Sequence, residues 1–427
     1  MSLETLTAKL EHIYQDLSVN VTKIYGRQNL HLAIDLSFHS VLEFKVGGRH
    51  VKKGYVESLI VGDTRCGKTE TAQRLVEHYQ LGTVSGGENS SFAGLVGGLQ
   101  QIRDRWQITW GKIPINDRRL LIIDEVSGIE PDEIAQMSGV RSSGVAEITK
   151  IHTEKTSART RLVWMSNPRK PISINHFNNG IELIKDVIGK PEDIARFDFA
   201  IILELNDVDF DLINSLSTAR LPHIYTSELC RNLILWAWSR KANEIYFDNA
   251  ALDALYACSK QLYDKYSPEF PLVNPSEQKL KIARLAVALA CRVFSTPDGI
   301  RVLVLPEHVE YITNFLNDQY DSKFFGLDMW SKNRREESDI KNEDVVRTEL
   351  GIFTNNMLTQ FLDMTQFNVR DLEDLLGCDI GQAKNFMHLL IKNNAVKKFY
   401  RNYIKTPALI RILREEIGAN KQRKAEF

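Results

Sequence analysis

Gly62-Asp63-Thr64-Arg65-Cys66-Gly67-Lys68-Thr69 decides how this chain is read, because an apolar run, Tyr55-Val56-Glu57-Ser58-Leu59-Ile60-Val61, leads into it and a helical pattern, Glu70 to Gln80, follows. The two glycines let the backbone curl into a nest of N–H groups. Lys68 adds a mobile cation, and the Thr69 hydroxyl is placed to hold Mg²⁺. The N-terminus of the following helix adds its partial positive charge to the same point. All eight residues, Gly62, Asp63, Thr64, Arg65, Cys66, Gly67, Lys68 and Thr69, are therefore candidates to cradle the phosphates of ATP at the end of a buried strand.

Such a loop binds phosphate but cannot hydrolyse it without acids nearby. Leu120-Leu121-Ile122-Ile123-Asp124-Glu125 supplies two at the end of a second apolar run. Asp124 would hold the Mg²⁺ through water, and Glu125 would polarise the attacking water as general base. A third run, Arg161-Leu162-Val163-Trp164-Met165-Ser166, ends at Asn167-Pro168. Neighbouring parallel strands end on one edge, so Asn167 can reach the γ-phosphate or its water. Ile194-Ala195-Arg196-Phe197-Asp198 precedes a fourth run, and Arg196 can supply a cation to the transition state from a neighbouring subunit.

Around these motifs the chain is ordinary in composition. Its 427 residues allow two or three domains, 43 % are hydrophobic, and 54 Lys and Arg against 55 Asp and Glu give a net charge of −1. Global attraction to nucleic acid is excluded, and DNA contact must come from local basic patches. Five scattered cysteines form no C-x-x-C pair, so neither a zinc ribbon nor a disulfide framework is indicated. There is no secretory leader pattern and no apolar run of membrane-spanning length. The expectation is a soluble, cytoplasmic protein with no membrane partner.

The pattern along the chain predicts five segments. Residues 1–20 read as a leading helix with Leu6, Leu10, Ile13 and Leu17 on one face. Residues 21–221 alternate apolar runs with helical patterns, at Tyr55 to Val61, Arg119 to Ile123, Thr160 to Met165 and Ala200 to Leu205, which argues for an α/β core with a mostly parallel sheet. Residues 222–320 turn wholly helical, like a lid. Residues 321–343 are charged and poor in periodicity, as in a linker. In 344–427, two short helices flank Gly377-Cys378-Asp379 and a strand, Ala395 to Tyr400, follows: a helix-turn-helix with a wing. Lys384, with Gln382, Asn385 and His388, lies on the second helix, and Lys397, Lys398, Arg401 and Lys405 on the wing, so this domain is a candidate DNA contact.

With these four elements in this order, the chain resembles the AAA+ ATPases and specifically the MCM replicative helicases, over roughly residues 21–317. Ile24-Tyr25-Gly26 matches the family's Ile-Tyr-Gly, Leu59-Ile60-Val61-Gly62-Asp63 its approach to the phosphate loop, and Ser157-Ala158-Arg159 its Asn-Ala-Arg. Ala195-Arg196-Phe197-Asp198 stands where the family has Ser-Arg-Phe-Asp, the arginine finger acting in trans. The resemblance implies a channel-facing lysine at Lys155, with Lys150 beside it, on a hairpin. It also implies a second insertion at Leu95 to Trp110, carrying Arg103, Arg105 and Trp106, as a hairpin or a basic helix.

From it follow an AAA+ fold with a helical lid and a C-terminal winged helix, and a homo-hexamer acting on single-stranded or forked DNA, with a loader or primase as further partner. The departures are Cys66-Gly67-Lys68-Thr69 for the family's Ala-Lys-Ser, Val126-Ser127-Gly128-Ile129 after the acids, and Glu277 in place of the sensor-2 arginine. Arg284, Lys279 or Lys281 is expected to substitute for it at the nucleotide. Only about twenty residues precede the ATPase module, where the family carries an OB-fold region. A protein remodeller and an ATP-switched DNA-binding regulator are the rival functions.

Overall fold

The four apolar runs become four strands of a five-stranded parallel sheet in the computed structural model of the chain, which describes residues 2–425 apart from 89, 103–104, 150–152, 206 and 339. The strands of the sheet are β1 (Glu57–Gly62), β2 (Thr83–Gly86), β3 (Leu120–Asp124), β4 (Arg161–Ser166) and β5 (Phe199–Leu203), in spatial order β5-β1-β4-β3-β2. All but β2 are buried along their whole length. Strands covered on both faces have no reason to alternate, so Leu59-Ile60-Val61, Leu120-Leu121-Ile122-Ile123, Leu162-Val163-Trp164-Met165 and Phe199-Ala200-Ile201-Ile202-Leu203 read as unbroken apolar runs. Register brings the functional ends together: Ser166 pairs with Val61, Trp164 with Ile123 and Leu203 with Gly62.

Helices cover the sheet. α1 (Leu3–Asp16) is capped by the Ser2 hydroxyl, which accepts from the Thr5 N–H at 3.2 Å, and it buries Leu6, Leu10 and Ile13. α2 (Gln28–Phe38) packs on β1 and β4. α3 (Lys68–Tyr79) leaves the phosphate loop with Ala72, Leu75 and Tyr79 inward. Residues 222–320 add α4 (Ser227–Trp238), α5 (Asn249–Lys265), α6 (Gln278–Arg292) and α7 (Pro306–Tyr320). This region is not wholly helical as expected: Ile245–Phe247 and Val302–Val304 pair in parallel. Three-residue strands carry too little periodicity to be read from sequence.

Two hairpins project from the core. Gly97–Ile102 pairs with Arg105–Trp110, which settles the 95–110 segment as a hairpin rather than a basic helix, and Val145–Thr149 pairs with Thr153–Ser157. A small third hairpin, Phe44–Val46 with Arg49–Val51, turns through Gly47 and Gly48, both at positive φ. No described helix is long and apolar enough to cross a membrane.

Contacts divide the chain into Met1–Met329 and Trp330–Phe427. The segment expected to be a linker contains a helix, Leu327–Ser338, with Arg334 stacked over Trp330 at 5.3 Å. Its charge hid the helix from a reading that looked for an apolar stripe. In the second unit Val369–Leu376 ends at Gly377, φ 59, and Ile380–Lys392 starts from Asp379, whose carboxylate accepts from the Gly381 N–H at 2.7 Å. Val396–Phe399 and Asn402–Lys405 follow as an antiparallel hairpin, to which Phe367 adds a bridge at Tyr403. Leu350, Leu358, Phe361, Leu372, Phe386 and Leu409 form part of this unit's own core.

Candidate active site

The phosphate loop is shaped by residues that need unusual backbone. Gly67 stands at φ 82 and Arg65 at φ 70. A Cβ on Gly67 would lie 2.9 Å from Cγ2 of Ile24, so the Ile24 side chain packs directly against the loop. Lys68 Nζ donates to the carbonyls of Gly62 (2.8 Å) and Asp63 (2.7 Å) and to Oδ1 of Asn167 (2.8 Å). Burial pushes its pKa down to about 8, against the attraction of Cys66, Asp124 and Asp63. Asp63 turns its carboxylate away from the nest to accept from the Ile174 N–H at 2.9 Å, tying the loop to the segment beyond Asn167. Burial pushes the Cys66 thiol pKa up.

The Thr69 hydroxyl donates to Oδ2 of Asp124 at 2.5 Å. A hydroxyl and a carboxylate one hydrogen bond apart, beside a lysine, are the hard oxygen donors that Mg²⁺ takes in a phosphate site. The residues fit the ion. Glu125 follows at φ 56, where the chain leaves the strand, and it lines a cavity of about 530 Å³ with Asp63, Thr64, Glu88 and Asn167. Burial, then the charges of Glu88 and Asp124, raise its pKa above the ordinary carboxylate value. That direction suits a base. Lys68, Thr69, Asp124, Glu125 and Asn167 are thus brought together from three strand ends.

Arg196 is not with them. It lies at the other end of the sheet, just before Asp198, whose N–H donates to the Glu57 carbonyl at the start of β1 at 2.8 Å. Six residues of β1, at about 3.3 Å each, separate that level from Gly62, well beyond an arginine's reach. Its guanidinium donates to the Ser142 hydroxyl and sits 3.7 Å from Asp193. Asp193 and Glu57 are held in turn by Arg141, fully buried between the rings of Trp164 and Phe197. Arg284 is on this face too, not at the phosphate loop. It donates to the Lys53 carbonyl at 2.8 Å, pairs with the buried Asp198, and shares a cavity of about 390 Å³ with Arg196 and Glu277. Lys281 is buried and donates to the Leu272 carbonyl at 2.8 Å; Lys279 is exposed.

On the second projecting hairpin Lys155 is exposed and pairs with Glu147, opposite it in register, at 2.9 Å. Arg103 and Lys150 lie outside the described residues. Trp106 is 51 % exposed on the first hairpin, whose strand Gly97–Ile102 touches Val145–Thr149. Lys384, Lys397 and Lys398 are exposed on the second unit. Sequence reading missed Glu88 beside Glu125, and Arg169, which donates to the carbonyls of Ser127 (2.8 Å), Ile129 (2.7 Å) and Asp186 (2.8 Å) and so fixes the turn after the acids. Arg169 stands two residues after Asn167, but nothing in its spacing signals those partners.

A family model described as the MCM P-loop domain matches residues 2–220, half of the chain, so the leading helix falls inside the match. The chain is similar to DNA replication licensing factor mcm2 of Schizosaccharomyces pombe, 21 % identical over 173 residues, 39 % of this chain and 21 % of that protein. It is similar also to MCM2 of Arabidopsis thaliana (20 % over 186 residues, 42 % and 19 %) and of Oryza sativa subsp. indica (22 % over 186 residues, 42 % and 19 %). The aligned region spans about a fifth of the length of these curated relatives.

Proposed function

The chain belongs to the MCM family, and from that premise we propose that it is an Mg²⁺-ATP-driven DNA helicase or translocase working in replication as a hexameric ring. One observation carries the reading: Lys68 and Arg196 face opposite ends of β1, so a site that uses both is completed by a second copy. In it one subunit offers the loop Gly62 to Thr69, with Asp124, Glu125 and Asn167, and the next offers Arg196.

Thr69 and Asp124 would hold the Mg²⁺, which would supply neutralisation of charge on the phosphates. Lys68 moves from the carbonyls of Gly62 and Asp63 onto phosphate oxygens, Asn167 orients the water, and Glu125 accepts its proton. Arg196 steadies the charge that develops, an effect of about 10³–10⁵ in rate for such fingers. Residues 222–320 act as the lid and 344–427 as a winged helix. Lys155, with Lys150 and Arg103, contacts phosphates along the channel, and Lys384, Lys397 and Lys398 make a second contact.

The test is ATP-dependent unwinding of forked DNA by wild type, Lys68→Ala, Arg196→Ala and a mixture of the two variants. Both single variants should be inactive, and the mixture should regain ATPase activity at interfaces that pair an intact loop with an intact finger. Normal hydrolysis by Arg196→Ala alone would sink the shared-site reading. ATPase stimulated by a protein and indifferent to DNA would favour the remodeller.

A further inference from the structure

The second unit's hairpin turns through Tyr400-Arg401, and Tyr400 stands there at φ 53. Tight hairpin loops demand positive φ, and glycine or asparagine supplies it with little strain. Tyrosine supplies it with a clash and gains no burial in exchange: Tyr400 is 86 % exposed and Phe399 beside it 46 %. The two rings meet edge to face with centroids 5.0 Å apart, and neither belongs to the unit's hydrophobic core. A strained backbone that displays an unburied ring points to a use outside folding.

The charge around the tip says what the rings meet. From Ile380 to Arg414 the sequence holds eight Lys and Arg and no Asp or Glu, in a chain of net charge −1. Lys397, Lys398 and Arg401 flank the rings and are exposed, and none is in an ion pair among the described residues. Rings alone would suit an apolar protein surface equally well. Rings set among unpaired cations suit a polyanion with planar faces.

We propose that Phe399 and Tyr400 form a stacking element for nucleobases, taking an unpaired base of DNA against the rings while Lys397, Lys398 and Arg401 hold the adjoining phosphates. This rests on the reading that the chain acts on DNA, and it specifies the element and the chemistry of one contact. No step of ATP hydrolysis passes through it.

The experiment compares binding of the full chain to a 20-nucleotide oligothymidylate and to an abasic 20-mer with the same phosphates, followed by fluorescence anisotropy. Tyr400→Gly keeps the turn and removes a ring, so its melting temperature should equal or exceed that of wild type, which guards against misfolding. Phe399→Ala with Tyr400→Gly should weaken oligothymidylate binding about five- to hundredfold, the range for one stacked base, and leave abasic binding unchanged. Lys397→Ala with Lys398→Ala should weaken both and flatten the salt dependence. Equal effects of ring removal on the two oligomers, or none, would overturn the stacking role while DNA binding stands; no effect is what a protein-docking tip gives. Failure of wild type to bind either oligomer would overturn it together with the DNA reading.

Discussion

The depressed pKa of Lys68 makes nucleotide affinity depend on pH in a direction and by an amount that can be worked out. Burial holds the free amine at about 8. Phosphate oxygens in the loop would stabilise the cation and return it to at least the ordinary lysine value of about 10.4. The bound state then carries more protons than the free state above pH 8, so affinity falls as pH rises. At pH 7.5 most of the amine is already charged and little is lost; by pH 9.5 the ratio of free-state populations predicts about 25-fold weaker binding, each unit above 8 costing about 1.4 kcal/mol. A hydrolysis-resistant ATP analogue titrated with excess Mg²⁺ from pH 7.5 to 9.5 reads the affinity. Calorimetry in two buffers of different ionisation heat reads the protons, about half a proton taken up at pH 8. Lys68→Met should bind weakly at every pH with no such slope. Constant wild-type affinity across that range, without proton uptake, would refute the assignment of Lys68 to the phosphates.

Arg141→Leu leaves Asp193 and Glu57 buried with fewer partners and should destabilise the larger unit by about 3–5 kcal/mol in urea unfolding; a loss below about 1 kcal/mol would show that the network is not what holds the Arg196 segment. Glu125→Gln should bind nucleotide normally and hydrolyse it about 10²–10⁴-fold more slowly. Turnover within tenfold of wild type would remove Glu125 as the base. Gly67→Ala places a methyl 2.9 Å from Ile24 at φ 82 and should cost about 1–2 kcal/mol of stability along with nucleotide affinity; unchanged melting and binding would mean the loop is not held against Ile24.

The sheet was legible where strands are buried on both faces. β1, β3, β4 and β5 carry unbroken apolar runs that stop at Gly62, Asp124, Ser166 and Glu204, because the interior ends where the polar edge begins. β2 was missed, since Thr83-Val84-Ser85-Gly86 is an edge strand, half exposed, with no apolar run to find. The 95–110 segment was ambiguous because Gln100, Gln101, Gln107 and Thr109 favour neither period, and only pairing across the turn decides it. Of the candidate site, residues tied to strand ends were placed by their motifs. Arg284 was not: its partner, Asp198, is 86 residues away, and no local pattern encodes an ion pair across that separation.

That ion pair also bears on whether Arg284 can take the sensor-2 role that the family resemblance leads one to expect. Asp198 is fully buried; one oxygen accepts from the Glu57 N–H at 2.8 Å and the other from Arg284. Moving Arg284 to the phosphate loop of its own chain would strand that carboxylate with a single backbone donor, a loss of about 3–5 kcal/mol, and that loop lies at the other end of β1. The guanidinium therefore stays where it is. It fastens α6 to the residue two places after Arg196, and through Asp198 to the first residue of β1, whose far end becomes the phosphate loop. Under the proposed shared site, Arg284 would act on nucleotide chemistry through where it holds Arg196, and a shift of the helical region against the sheet would act on the finger of one site and on the strand that carries the phosphate loop of another.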